Sequence, residues 1–185
     1  MEYVDAIRDI GKIKAIKKLL KEHSPRDYLL FVLGINTGLK ISEMLTMKWS
    51  DVLNNHGSVK NFIDRQSEQD IPIYMNSKVK NAISFYHSSI SIDYSDYVFK
   101  SSKTKEPITR QQAYRIINKA AKKVGIEGNI GTHSMRKTFG YHAYKKGIAI
   151  ALLQKIFHHP SSSETLKYLG IKKDEEIKTE IDVNL

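Results

Sequence analysis

The chain has 185 residues, of which 41% are hydrophobic, contains no cysteine and carries a formal net charge of +10 at pH 7. This length suffices for one compact domain, residues 1–185, and the lack of cysteine excludes disulfides, thiolate metal sites and cysteine nucleophiles. Neither a signal peptide nor an apolar run of about 18 residues is present, which predicts a soluble, cytoplasmic protein with no membrane partner.

The first part of the chain predicts three helices. The opening 22 residues carry apolar side chains at helical spacing among lysines, which indicates an amphipathic helix. Ser24 is expected to cap a second, nearly all-apolar helix that has Pro25 at its first position and ends at Gly38. The segment ISEMLTMKW predicts a short third helix with Ser42 as its cap.

Residues 51–75 change character and predict a small sheet. Asn54, Asn55 and Gly57 are typical of a turn, and the runs SVKNFID and DIPIYM are β-type segments on either side of the polar stretch RQSEQ. A short antiparallel sheet is therefore expected inside a helical protein.

Helical periodicity returns from Asn76 onward and predicts four more helices. In chain order these are NSKVKNAISFYHSS, ITRQQAYRIINKAAKKVG, THSMRKTFGYHAYKKG and IALLQKIFHH. The third is expected to begin with Thr132 as its cap. The predicted fold class is thus mainly α with a small antiparallel β-sheet, an α+β fold.

The positive charge is concentrated in one block. Residues 100–159 hold 13 lysines and arginines against 2 acidic residues, as expected of a surface that follows phosphates. The alternative is a solvated basic face that only aids solubility. The candidate nucleic-acid contacts are Arg110, Gln111 and Arg115 on one predicted helix, with Lys103, Lys105 and Lys137 elsewhere in the block.

A spaced set of polar side chains marks the last third of the chain. His133 and Arg136 are three residues apart and would share a helix face, His159 follows 23 residues after Arg136, and Tyr168 lies nine residues beyond it. Alone, the His and Arg pair could be an ordinary surface pair. A metal site built from the histidines is disfavoured, because no carboxylate or cysteine stands at ligand spacing.

Three segments together resemble the successive signature segments of the tyrosine recombinases, the phage integrase family. They are TGLKISEMLTMKWSDV, GTHSMRKTFGYHAYKKG and LLQKIFHHPSSSETLKYLGI, in the family's order and spacing. The resemblance covers residues 24–171 and implies the tyrosine recombinase catalytic-domain fold. It also implies site-specific DNA recombination, double-stranded DNA as partner, self-association on DNA, a bacterial or phage origin with nucleoid association, and neither cofactor nor metal.

The resemblance also implies roles for individual residues. Tyr168 would attack a DNA phosphodiester, forming a 3′-phosphotyrosyl link and freeing a 5′ hydroxyl. Arg136 would bind the scissile phosphate through its planar fork, which gives two charge-assisted hydrogen bonds. A phenol is a poor nucleophile at neutral pH, so His133 would assist proton transfer while His159 contacts the phosphate or the nucleophile.

Two departures from the family pattern bear on catalysis. Lys40 stands where the family has its first arginine, and a lysine keeps the charge but loses the fork. The β-turn lacks the lysine that acts as general acid in the family; Arg65 is the nearest cation and would be a poor proton donor. Slower cleavage is therefore expected. His158 also replaces the small residue, often glycine, that usually precedes the histidine matching His159.

Alternatives remain open on function and on the ends of the chain. The protein could be a catalytically weakened or inactive, DNA-binding relative of the recombinases that regulates a mobile element. It could also be an enzyme with type IB topoisomerase activity. The chain starts about where the catalytic part of the family begins, so no amino-terminal core-binding domain is expected within it. The tail, residues 172–185, is predicted either to dock as a short helix on its own body or a neighbouring protomer, or to fray.

Overall fold

The computed structural model describes residues 4–64 and 71–172, and within them the chain folds mainly into helices. The helices are α1 (Ile10–His23), α2 (Pro25–Thr37), α3 (Ile41–Leu45), α4 (Trp49–Val52), α5 (Ser77–His87), α6 (Arg110–Lys123), α7 (Thr132–Lys145), α8 (Ile150–Phe157) and α9 (Ser162–Leu169). Strands β1 (Phe62–Ile63) and β2 (Ile73–Tyr74) pair antiparallel between α4 and α5. The predicted α+β fold class is confirmed.

The first helix begins later than predicted. Asp9 caps α1 through its Oδ1 atom, which accepts hydrogen bonds from the backbone N–H of Gly11 at 2.6 Å and of Lys12 at 3.2 Å. Residues 4–9 therefore precede the helix and contain neither helix nor strand. The predicted boundaries of α2 are confirmed, because Ser24 caps it and Gly38 ends it in the left-handed region at φ 66°.

Two predicted caps are wrong. Helix α3 begins at Ile41, and its first turn is closed by Glu43, whose Oε2 accepts from the Lys40 N–H at 2.6 Å; Ser42 lies inside the helix. Helix α7 begins at Thr132, as predicted, but its cap position is Gly131. In both cases the side chain three residues after the true cap position satisfies a free backbone N–H.

The sheet is shorter than the two predicted β-type runs. Phe62 pairs with Tyr74 and Ile63 with Ile73, so the two isoleucines face the core while the two aromatic rings are exposed and contact each other at 5.5 Å between centroids. The rest of the run SVKNFID contributes an isolated bridge from Val59 to Leu53. Successive side chains of a strand point to opposite faces of the sheet, which explains why one residue of each strand is buried and the other exposed.

Helix α2 forms the centre of the main core. Its residues 29–33 are fully buried, and it packs against α1, α5 and α7. A second, smaller core lies under α7, α8 and α9, and its members are Tyr144, Leu153, Phe157, Leu169 and Ile171. A Cβ atom added at Gly140 would lie only 2.7 Å from the Phe157 ring, so glycine permits the close approach of α7 to this core.

Helix α9 is not among the predicted helices. Ser161 caps it by accepting from the Glu164 N–H at 3.1 Å, and Gly170 ends it at φ 66°. The predicted tail helix lies outside the described residues, apart from Lys172. No helix within the described ranges is both long and apolar enough to cross a bilayer.

Candidate active site

Four separate parts of the chain meet at a cleft of about 390 Å³. The start of α3, the start of α6, one face of α7 and the α8–α9 region contribute its walls. Its polar lining consists of Lys40, Ser42, Arg110, Thr132, His133, Arg136, His159 and Tyr168. The structure therefore brings together five of the side chains that the sequence predicts for catalysis.

Arg136 is fixed in the wall of this cleft. Its side chain is 6% exposed, and Nη2 donates to the backbone oxygen of Phe157 at 3.2 Å while the guanidinium lies 4.8 Å from the Phe157 ring centroid. Nη1 lies 3.9 Å from Oε2 of Glu43. These contacts orient the guanidinium toward the cleft, where an anion can take two charge-assisted hydrogen bonds.

Tyr168 and Arg136 both line the cleft, and both pack against the Phe157 ring. The tyrosine ring contacts His159 with 4.9 Å between ring centroids, and Phe157 with 5.5 Å. Burial raises the pKa of the phenol, and the nearby charge of Arg136 opposes that rise. The hydroxyl is therefore neutral at pH 7 and needs a proton acceptor to become a good nucleophile.

Both candidate proton-transfer histidines are held in the neutral form. Burial lowers the pKa of His133 and of His159, and the nearby charge of Arg136 lowers both further. The Nδ1 atom of His159 lies 3.1 Å from Oγ1 of Thr165, which orients the ring toward Tyr168. A neutral imidazole can accept a proton, as a general base requires.

His158 turns the chain between α8 and His159. It adopts φ 56° and ψ 40°, the left-handed conformation that L residues with a side chain rarely take. This conformation explains why a glycine is suited to the position. It also directs His158 away from the cleft lining, while His159 lies in it.

Lys40 lies at the cleft edge and is exposed. Lys40 immediately precedes α3, and its backbone N–H donates to the Glu43 carboxylate. The same carboxylate lies near the Arg136 guanidinium, so Glu43 connects the start of α3 with Arg136. Sequence reasoning missed Glu43 and Thr165 as orienting residues. The spacing of Glu43 three residues after Lys40 is the one local signal that could have indicated the former.

The predicted DNA contacts fall into two groups. Arg110, Gln111 and Arg115 are exposed on α6, with Arg110 in the cleft, and Lys103 and Lys105 are exposed in the loop before it. Lys137 differs, because it is 7% exposed and its ammonium lies 5.1 Å from the centroid of the Tyr168 ring. Its burial disfavours direct contact with a phosphate on the surface.

Two further predictions concern the site. Arg65, the low-ranked substitute for the β-turn lysine, lies outside the described residues. Within residues 4–64 and 71–172, no group of three or more histidine or acidic side chains is arranged to hold a metal ion. The chemistry available from the described cleft side chains is that of a phenol, two neutral imidazoles, a buried guanidinium and the exposed cations Lys40 and Arg110.

Comparison with known proteins agrees with this geometry. The sequence profile of the phage integrase family matches residues 9–175. The chain is 40% identical over 174 residues to the probable integrase/recombinase YoeC of Bacillus subtilis strain 168, covering 94% of this chain and 93% of that protein. Other relatives named tyrosine recombinases are 26 to 30% identical, and the chain spans 50 to 55% of their length.

Solved structures share the fold. The crystal structure of XerA recombinase superposes with a TM-score of 0.75 at 22% identity, covering 94% of this chain and 61% of that one. The Tn1549 transposon integrase bound to transposon right end DNA gives a TM-score of 0.69 at 18% identity, covering 95% and 64%. The predicted catalytic-domain fold is confirmed, and the chain belongs to the phage integrase family, that of the tyrosine recombinases.

Proposed function

We propose that this protein is a site-specific recombinase that cleaves and rejoins double-stranded DNA through a 3′-phosphotyrosyl intermediate. The single observation that carries the proposal is that Tyr168, buried Arg136 and both histidines line one cleft. A nucleophile held beside a buried guanidinium is the arrangement that attack on a phosphodiester requires. The family and the DNA-bound Tn1549 integrase support the same class of reaction.

In the proposed reaction, the Tyr168 oxygen bonds to the scissile phosphorus as the bond from phosphorus to the 5′ oxygen breaks. The phenol proton passes to neutral His133, and the leaving 5′ oxygen takes a proton from water. Arg136 and Lys40 stabilise the charge on the non-bridging oxygens, and His159 hydrogen-bonds the phosphate. One phosphoester replaces another, so a second 5′ hydroxyl can reverse the step without a nucleotide cofactor.

The test is the capture and mapping of the covalent intermediate. The protein is incubated with a random-sequence library of nicked duplexes that lose a short strand after cleavage, which prevents religation. Adducts that survive denaturation are digested with protease, and the DNA-linked peptide is identified by mass spectrometry. We expect the linkage at Tyr168; linkage at another residue, or no adduct with any duplex, would contradict the proposal.

The rate of adduct formation is expected to fall in acid. Because the pKa values of His133 and His159 are lowered below their ordinary value of 6.5, both imidazoles stay neutral at pH 7 and protonate only below pH 6.5. At saturating DNA, the rate should be constant from about pH 8 to about pH 6.5 and decline at lower pH. A rate that rises as the pH falls through this range would contradict the role of a neutral histidine.

A second candidate function is a weakened or inactive DNA-binding relative, and the exposed Lys40 at the cleft favours it. If the protein is a weakened enzyme, Lys40→Arg should accelerate adduct formation about tenfold, because the guanidinium fork binds phosphate through two hydrogen bonds. An inactive DNA-binding protein would gain nothing. Single-turnover cleavage of a nicked duplex measures the difference.

Lys48→Arg is the matched control for Lys40→Arg. Lys48 is also exposed and also precedes a short helix, α4, whose Asp51 accepts from its backbone N–H at 2.7 Å. It is not among the residues lining the cleft. The same substitution there should leave the cleavage rate unchanged, so an equal gain in both variants would point to general DNA attraction instead.

The remaining partner assignments are also proposals. The exposed cations of α6 and of the loop before it support contact with the DNA backbone, because all five predicted positions other than Lys137 are accessible. Self-association on DNA is proposed by likeness to the lambda integrase dimer bound to a core site, which superposes with a TM-score of 0.64.

A further inference from the structure

The segment before α1 crosses the helices that build the cleft. Within residues 4–9, Ile7 is 3% exposed, and its backbone N–H donates to Oγ1 of Thr138 at 2.8 Å. Its backbone oxygen lies 2.9 Å from Nε2 of His142. Both backbone groups of Ile7 are thus bound to α7, the helix that carries His133 and Arg136, so the segment is part of the folded structure there.

The next residue reaches the end of the helix that carries Tyr168. Nη2 of Arg8 donates to the backbone oxygen of Gly170 at 2.7 Å, and its guanidinium lies 4.6 Å from the centroid of the Tyr141 ring. Gly170 ends α9 only two residues after Tyr168. A cation at a helix carboxyl end stabilises its last turn through a charge-assisted bond to a terminal carbonyl.

The same segment acts on the cation behind Tyr168. Burial lowers the pKa of Lys137, whereas the Asp5 carboxylate raises it and so favours the charged form. The Lys137 ammonium lies 5.1 Å from the centroid of the Tyr168 ring, a distance at which a cation attracts an aromatic face. Asp5 therefore helps to keep a charge against the ring of the proposed nucleophile.

Helix α9 depends on such contacts because it is short. It has 8 residues, about two turns, and isolated helices of this length are marginal in water. Its position is otherwise set by packing on α7 and α8. A displacement of the phenol oxygen by about 1 Å can slow an in-line reaction about a hundredfold, so a hold on the last turn of α9 matters for the reaction.

We propose that residues 4–9 form a strap that positions Tyr168, with Arg8 and Lys137 as positioning residues that touch the nucleophile helix and the nucleophile ring. This inference rests on the proposed function, since it assumes that Tyr168 attacks DNA. The strap fastens α9 to α7 from outside the cleft. It acts on the rate of the chemical step and leaves the DNA-contacting side chains in place.

The first experiment replaces Arg8 and measures both the helix and the reaction. In Arg8→Ala, amide hydrogen exchange in the peptide covering residues 162–172 should become faster in the free protein. Single-turnover cleavage of a nicked duplex should become about tenfold slower, with DNA affinity unchanged. Arg8→Lys, which can still donate to the Gly170 carbonyl, should restore most of both.

Lys12→Ala is the matched control. Lys12 lies four residues later and donates through Nζ to the backbone oxygen of Val124 at 2.6 Å, at the carboxyl end of α6. This variant also removes a cation from a helix end, and its cleavage rate and the exchange of residues 162–172 should stay as in the wild type. An equal slowing in both variants would show a general loss of stability and overturn the strap.

A second variant tests Lys137. Lys137→Met keeps a buried apolar side chain of similar length and removes the charge. We expect slower cleavage at unchanged DNA affinity. Weaker DNA binding at an unchanged cleavage rate would overturn the positioning role and indicate a phosphate contact instead. Unchanged exchange in Arg8→Ala, or faster exchange without slower cleavage, would overturn the strap. Absence of an adduct from the wild-type protein would instead count against the proposed function, and hydrogen exchange would still decide whether the strap holds α9.

Discussion

Tyr168→Phe is expected to abolish the covalent protein–DNA adduct while DNA affinity stays near that of the wild type. The substitution removes the oxygen that bonds to phosphorus, and Tyr168 is the one tyrosine among the described residues that line the cleft. The ring keeps its contacts with Phe157 and His159 in the variant, so the folding free energy should stay within about 1 kcal/mol of the wild type. Denaturing gels of a nicked-duplex reaction measure the adduct, and thermal unfolding measures the stability.

Tyr94→Phe is the matched control for this loss. Tyr94 donates its hydroxyl hydrogen bond to the backbone oxygen of Asn54 at 3.0 Å and is not among the residues lining the cleft. Tyr94→Phe also removes one tyrosine hydroxyl, outside the cleft, and should keep wild-type adduct formation. An adduct that persists in Tyr168→Phe would show that another side chain is the nucleophile.

Local sequence patterns predicted the helical fold where the determinants are local. Ser24, Pro25 and Gly38 specify both ends of α2 through capping and a left-handed turn, and the structure has them in these roles. The opening residues predict a helix from the start of the chain, whereas α1 begins at Ile10, because the preceding segment is held by α7 instead. The Ile7 side chain lies in the main core, and its backbone N–H donates to Thr138, 131 residues along the chain.

The candidate site was predictable in part for the same reason. The spacing of His133 and Arg136 places both on one face of α7, which a helical period indicates directly. Their meeting with His159 and Tyr168 followed from the family resemblance, since no local pattern joins α9 to α7. The burial of Lys137 and the contact of Arg8 with Gly170 depend on tertiary packing alone, so the sequence predicted Lys137 as a surface cation.

Arg136→Lys is expected to slow adduct formation about a hundred- to a thousandfold although the formal charge is kept. Arg136 is the buried, fixed cation of the cleft, whereas Lys40 is exposed. An ammonium cannot reproduce the two parallel hydrogen bonds of the fork, and removal of one preorganised donor to a developing oxyanion costs a factor of about 10² to 10³. Single-turnover rates at saturating DNA separate this loss from weaker binding.

Arg26→Lys separates the loss of the fork from the loss of packing. Arg26 is half-buried, donates to the backbone oxygen of Lys100 at 3.0 Å as Arg136 does to that of Phe157, and pairs with Asp27 at 2.8 Å, but it is not among the cleft residues. In Arg136→Lys and in Arg26→Lys, the shorter lysine side chain must reach the backbone carbonyl that the arginine bonded. The two substitutions should therefore have similar effects on folding stability. Only Arg136→Lys should slow cleavage, because the reaction needs a guanidinium plane facing the phosphate. A rate loss shared by both variants would instead trace the effect to the fold, and the cleft would then bind its phosphate through Lys40 and the histidines.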